Sequence, residues 1–565
     1  SPMMCSVLLR HQTTHGWFYN AVENVLEGMR RGYRRVLWSA LRARWLVLGI
    51  GIAVAGFAVL VFGQLKSELA PIEDQGTIAV LGTAPEGATL QYTDTYARQI
   101  EEILASVPEI ERSLVIYGSP TVQNLISFNR LALWDDRDRK QQEITASLAP
   151  KMSQVAGLRA FATNPAPLGQ SIRSRPVELV IQTSQSYREL ETMVEEILRR
   201  ASQNARLLNL DTDLKLNSPQ KRVAIDREKA ADLGIPVATI GRTLETMLGS
   251  RQVTRFKREG KQYDVILQLA DVDRRNPQDL ARIHVRAAGG QMVPLSNLVR
   301  LEEGIAPREL NHFDQRRSAT ISANLADGYA LGEALGFLEG IAREVLPATA
   351  AIDYNGQSRE FKQASSSLVF VFALALVFIY LVLAAQFESF RDPLTIMLTV
   401  PLSMAGALAA LWWFGGTLNI YSQVGLVTLI GLITKHGILI VEFANQIRAS
   451  GRDMYEAVVE AASLRLRPIL MTTGAMVLGA LPLAIATGAG AESRSQIGIV
   501  IVGGLLVGTF FTLFVIPAAY TLIASRTVRA DLHGDHAGHD HAGQGHAGHD
   551  NAGQGHDAPH PRPAE

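Results

Sequence analysis

The 565-residue sequence has one cysteine, Cys5, and no net formal charge, with 54 Lys and Arg against 54 Asp and Glu. A single thiol excludes a disulfide framework. The even charge balance argues against a nucleic-acid binder, which carries a basic excess. No metal-ligand spacing, Gly-rich phosphate loop or nucleophile elbow occurs between residues 66 and 361, so that stretch is not read as an enzyme. The 47% apolar content is ordinary as an average. Its distribution is uneven, and that unevenness carries the reading.

Six runs are apolar over lengths near the ~20 residues that span a bilayer: 45–62, 368–385, 394–414, 424–443, 469–485 and 497–523. Five fall in the last third of the chain, which argues against the buried helices of a large soluble enzyme. Arg30, Arg31, Arg34, Arg35, Arg42 and Arg44 precede the first run, and positive charge marks the cytoplasmic side. Alternation then places 451–467 and 526–529 inside, and 415–422, 487–496 and the long 63–367 stretch outside. Before the first run, Val22, Val25, Leu26, Met29, Tyr33, Val36 and Leu37 recur at helical spacing opposite four arginines. The segment 16–43 is therefore expected to lie as an amphipathic helix on anionic membrane lipids.

Between the first two runs, alternating strand and helix patterns start at 77–83 and repeat through 176–216 and 318–354. Ser186 and Glu189 form a capping-box signature. The expected fold class is an α-helical polytopic membrane protein, six transmembrane helices plus an N-terminal stub at 1–10, with a large α/β external domain of split βαβ subdomains. Residues 223–299 carry their own strands and turns and read as an insertion.

Lys435 lies mid-run in the fourth span, where an unpaired ammonium costs about 2.5–3.5 kcal/mol. It needs a carboxylate or a wet cavity, yet no Asp or Glu lies at midplane depth in any run; Glu442 is near the inner end. His436 follows it but points about 100° away. Arg465 and Thr472 are seven residues apart, nearly two turns, and share one face of the fifth span. A packing ion pair is the plain alternative for Lys435, and an interfacial anchor for Arg467.

Two stretches, Gly431-Leu-Ile-Thr-Lys435-His-Gly-Ile-Leu-Ile-Val-Glu-Phe-Ala444 and Arg465-Leu-Arg-Pro-Ile-Leu-Met-Thr472, resemble the resistance-nodulation-division (RND) efflux pumps, in their hydrophobe/amphiphile, AcrB/MexB-like branch. Glu68-Leu-Ala-Pro-Ile-Glu-Asp-Gln-Gly76 and Gly488-Ala-Gly490 resemble that branch as well. The likeness runs from Ser1 to about Ser525. It implies the carboxy-terminal half of a two-half pump in the bacterial inner membrane, with 1–10 ending one span and the six runs forming spans seven to twelve. It implies a proton relay through Lys435, Arg465 and Thr472, facing paired aspartates of the other half, with the proton gradient as energy source and no cofactor. It implies a periplasmic domain made of porter subdomains at 66–166 and at 167–222 with 301–361, a docking subdomain at 223–300, and membrane helices at 44–65 and 366–525. The partners implied are two further copies in a homotrimer, a periplasmic adaptor and a TolC-like channel.

Phe128, with Ile116 and Phe161, matches the family's drug-pocket positions, although 114–123 is short and poor in Phe; ordinary strand packing is the alternative. The tail 526–565 holds eight histidines in Gly/Ala/Asp/His repeats. His536, His539 and His541 could bind a divalent metal, which raises the heavy-metal branch as a rival. A secretion-accessory membrane protein, and a receptor or scaffold in which Lys435 is structural, are further alternatives.

Overall fold

The computed structural model describes residues 17–166, 168, 171, 174–270, 276–326 and 328–524. The expected stub at 1–10 and the tail at 526–565, with His536, His539 and His541, lie outside these residues. Helix α1 (Trp17–Arg42) leads almost directly into α2 (Arg44–Gln64), which carries no charge after Arg44. The apolar side of α1 divides. Tyr33, Leu37 and Leu41 are buried in the helical bundle, whereas Val25, Met29 and Val36 stay exposed.

The first α/β unit follows the order β1 (Thr77–Thr83), α3 (Leu90–Ala105), β2 (Ile110–Tyr117), β3 (Asn124–Leu131), α4 (Gln141–Met152) and β4 (Arg159–Thr163). Thr89 caps α3 by accepting from the Tyr92 amide, and Ala97, Ile100 and Leu104 then recur at helical spacing on its buried side. The antiparallel sheet has strand order β2-β3-β1-β4. Alternation along each strand sends Ile78, Val80, Val115 and Leu125 toward the core formed with α3 and α4.

The second unit repeats this plan. Its strands and helices are β5 (Val177–Thr183), α5 (Tyr187–Ala201) and β6 (Leu207–Thr212), then, after an insertion, β13 (His312–Phe313), β14 (Arg316–Leu325), α8 (Leu331–Val345) and β15 (Ala350–Tyr354). The expected capping box opens α5: Ser186 Oγ accepts from the Glu189 amide while Glu189 accepts from the Ser186 amide. The main sheet order is β6-β14-β5-β15, the same relative order as in the first unit, with β13 pairing beside β14.

The insertion enters on β7 (Ser218–Ile225) and leaves on β12 (Val299–Ala306), paired along their full length from Ser218↔Ala306 to Ile225↔Val299. Between them lie α6 (Arg227–Asp232), α7 (Val237–Gly249), the hairpin of β8 (Arg251–Arg258) and β9 (Lys261–Leu267), and the short ladder of β10 (His284–Arg286) with β11 (Met292–Pro294). Glu259 and Gly260 both adopt positive φ, the backbone a two-residue type I′ hairpin turn requires. The anticipated boundaries at 222/223 and 300/301 fall inside the β7/β12 ladder. Hydrogen bonding there is continuous, so the ladder is one neck and is not divided between two units.

The remaining helices are α9 (Gly356–Phe387), α10 (Arg391–Met397), α11 (Thr399–Trp413), α12 (Ile420–Ala449), α13 (Met454–Ala484) and α14 (Ala491–Ile523). Among the described residues, six helical stretches are long and apolar enough to cross a membrane, one for each expected run. The third is made of α10 and α11, which meet at Leu398. Helix α9 starts on the second sheet: Ser358 Oγ accepts from the Glu178 amide and donates to the Pro176 carbonyl, both at 2.9 Å. It then runs unbroken into its apolar stretch. Helix α14 lies at the centre, against α11, α12 and α13. A Cβ at Gly504 would meet Leu429 at 2.2 Å, and one at Gly508 would meet Ser403 at 2.7 Å, so the small residues permit this close approach.

The segment 66–76 mounts the first sheet on the bundle. Leu418 donates its amide to the Lys66 carbonyl at 2.8 Å and accepts from the Glu68 amide at 3.2 Å, and Ser67 and Leu418 form a parallel bridge. Glu68 accepts from Thr417 Oγ1 at 2.5 Å, and Glu73 accepts from Ser493 Oγ at the start of α14. Asp74 turns the other way, into a buried ion pair with Arg137 at 2.5 Å, and also accepts from the Gln141 and Gly76 amides.

Candidate functional site

Helix α12 has its register set at its first turn, where Asn419 accepts from the Ser422 amide and the Asn419 amide donates to Ser422 Oγ. Lys435 then falls near the middle of a 30-residue helix, about 45 Å long at 1.5 Å per residue. It is half-buried, and among the described residues no carboxylate pairs with it. Helix α13 runs antiparallel beside α12, opened by Asp453, whose side chain accepts from the Tyr455 amide.

Two contacts fix the depth of α13 against α12. The Arg465 guanidinium lies over the Phe443 ring, 4.4 Å from its centroid. Thr473 Oγ1 lies 3.3 Å from His436 Nε2. Both pairings give one antiparallel register, which sets Lys435 level with the turn of Thr472 and Thr473 and Arg465 about two turns away, toward the start of α13. Thr472 Oγ1 donates back to the Ile469 carbonyl at 3.0 Å. Arg465 keeps a buried Nε without a hydrogen-bond partner among the described residues. The three residues singled out in the sequence thus occupy neighbouring helices at two depths, with no direct bond between them.

His436 is fully buried and faces away from Lys435. Besides Thr473 on α13, it meets Thr509 on α14, with Oγ1 3.5 Å from Nδ1, and the two threonine oxygens are 3.3 Å apart. Adjacency to Lys435 was the only sequence signal for His436. Thr473 and Thr509 gave none, because the contact joins three helices far apart in the chain.

In the α/β region, Ile116, Phe128 and Phe161 fall on one face of the first sheet, opposite its helices. Ile116 pairs with Ile126, Ile126 with Leu81, and Leu81 with Phe161, in one row across four strands. Phe128 stands one row away, between Leu114 and Ala79. Phe161 lines a cavity of about 870 Å³ between the two α/β units, which Ile116 and Phe128 do not reach.

The Arg175 guanidinium covers the Phe161 ring at 5.1 Å. Asp211, in the same wall, draws Lys215 at 3.3 Å, Arg159 at 3.8 Å and Arg175 at 4.0 Å. Burial lowers the Arg175 pKa from the usual arginine value, with Asp211 opposing that shift. Burial raises the Glu178 and Asp213 carboxyls, against the hydrogen bonds each accepts. The cavity therefore offers Phe161 with Pro85, Ala156 and Pro219 beside closely paired charges.

A family model described as the AcrB/AcrD/AcrF family matches residues 1–524. The chain is also 38% identical over 532 residues to a protein of Haemophilus influenzae (strain ATCC 51907 / DSM 11121 / KW20 / Rd) named as an uncharacterized transporter. That alignment covers 93% of this chain and 52% of the relative, so the chain spans about half the length of the curated relative it matches.

Proposed function

The chain belongs to the AcrB/AcrD/AcrF family of RND transporters, and from that premise we propose that it is the carboxy-terminal half of a proton-driven exporter of small amphiphiles. The observation that carries this reading is Lys435, a half-buried cation in the middle of an apolar helix with no carboxylate partner among the described residues. Such a charge calls for an acidic counterpart, which we read as two aspartates on the other half. Protonating them would weaken their hold on Lys435, and Thr472, at the same depth, would carry a hydroxyl to the same site. Arg465, stacked on Phe443, would supply positive charge toward the inner end.

This change would reach the α/β region by two routes: the unbroken α9, and the bridge of Ser67 to Leu418. Small movements become larger ones when packed elements have discrete arrangements. In this reading the region between α2 and α9 is periplasmic, the protein sits in the inner membrane as a homotrimer, and the insertion meets an adaptor or TolC-like channel. The cavity beside Phe161 would take the substrate, with the Ile116 and Phe128 face as a neighbouring apolar wall. Its mixed lining favours molecules with both an apolar body and a polar group.

The test is export by the intact transporter in a pump-deficient cell, wild type against Lys435→Met at equal membrane abundance. The variant should lose export, and normal export would sink the relay reading. Metal export is a second reading favoured by one sequence feature, the histidine tail with His536, His539 and His541; a tail-bound divalent metal is the ligand it proposes.

A further inference from the structure

His436, Thr473 and Thr509 each offer one donor and at least one acceptor when the imidazole is neutral. The three spacings, 3.3, 3.5 and 3.3 Å, close a triangle. The in-plane directions of the two ring nitrogens diverge by about 140°, so a neutral imidazole bonds one hydroxyl through the nitrogen that faces it while the two hydroxyls bond each other. All three residues are buried, at 0%, 6% and 4% exposure. An unmet hydroxyl or imidazole in such a place is costly.

The neutral form follows from the charges around it. Between Tyr421 and Glu442, Lys435 is the only other ionisable residue of α12; α13 has none after Arg467, α14 none between Arg494 and Tyr520, and α11 none at all. Asp392 on α10 is directed elsewhere, accepting from Asn445 Nδ2 at 3.1 Å. Among the described residues, an imidazolium would thus sit beside an ammonium with no carboxylate at its depth.

The triangle ties α12 to both neighbours at the turn that carries Lys435. Gly437, the next residue, closes the other side, since a Cβ there would meet Ile396 at 3.1 Å and Thr399 at 3.4 Å. Rotation of α12 is therefore blocked by hydrogen bonds on one side and by close packing on the other. We propose that the His436–Thr473–Thr509 ring sets the rotation of α12 and hence the direction of the Lys435 ammonium, which makes His436 a positioning residue for the coupling charge. The proposal rests on the reading of Lys435 given above.

The experiment measures export rate against substrate concentration in the intact transporter, at matched membrane abundance, for His436→Leu, His436→Gln, Thr509→Val and Lys435→Met. Leucine fills much of the space but leaves the two hydroxyls only each other as partners, so the maximal rate should fall about tenfold with the half-saturating concentration unchanged. Glutamine keeps a donor and an acceptor and should restore most of that loss, while valine at 509 should fall between. A wild-type rate in His436→Leu, or an equal loss in His436→Gln, overturns the proposal. Normal export by Lys435→Met would overturn the reading of Lys435 and this proposal with it. Loss in Lys435→Met with unaltered His436→Leu would sink this proposal alone.

Discussion

Leu418, in the turn before α12, is paired through its backbone with the strand-like segment at Ser67. The chain leaving α2 is thereby held to the chain entering the helix that carries Lys435. Proline at 418 would remove the amide that donates to Lys66, whereas alanine would keep it. Leu418→Pro should cut export about tenfold, the effect of losing roughly 1.4 kcal/mol of coupling, and Leu418→Ala should not. Equal export by the two variants would show that this pairing carries no movement.

Arg465 faces Phe443 through a planar guanidinium. Lysine retains the charge but not the flat stacking surface. Arg465→Lys should therefore lose about 0.5–2 kcal/mol of interaction, read as a lower midpoint of thermal unfolding in detergent and reduced export. Phe443→Leu should reproduce the thermal shift. If Arg465→Lys matches wild type in both measurements, the ring contact is incidental.

Asp74 and Arg137 form a buried pair, at 0% and 3% side-chain exposure. Burial alone would raise the Asp74 pKa, but the hydrogen bonds from Arg137, Gln141 and Gly76 outweigh it and leave it lowered. A lowered folded-state pKa stabilises the fold above the unfolded carboxylate pKa. That contribution is lost as pH falls through the folded value. Arg137→Met should destabilise the first α/β unit by about 3–5 kcal/mol by stranding a buried carboxylate. Asp74→Asn should lower stability at neutral pH and flatten the acid limb of the unfolding curve. An unchanged acid limb in that variant would assign the pH response to other carboxyls.

Removal of 526–565 tests the histidine repeats. Calorimetric titration with zinc should give binding to the full chain that the truncated protein lacks, with export of organic substrates unchanged. Equal zinc uptake by both would make the tail a spacer.

Much of the fold is legible locally. The apolar runs mark the six long apolar helices found among the described residues, since a bilayer imposes a length that composition alone reveals, and Ser186 with Glu189 marks the start of α5. The split of the third run at Leu398 is hidden because its composition does not change there. The β7/β12 neck is hidden because the pairing of Ser218 with Ala306 depends on contacts across the whole insertion. At the candidate site, Lys435, Arg465 and Thr472 stand out as charge or spacing within apolar helices. Thr473 and Thr509 are ordinary helix threonines until the packing of α13 and α14 brings them to His436. Ile116, Phe128 and Phe161 could be aligned on one face only once strand register was known, because a one-residue slip would reverse it.

The two-stranded neck of β7 and β12 brings the ends of the insertion side by side at Ser218 and Ala306. Whatever lies beyond those ends can be exchanged, shortened or enlarged while β6 and β14 keep the same places in their sheet. The part farthest along the neck is therefore free to diversify on its own schedule, and the sheets and helices below it need not change in step.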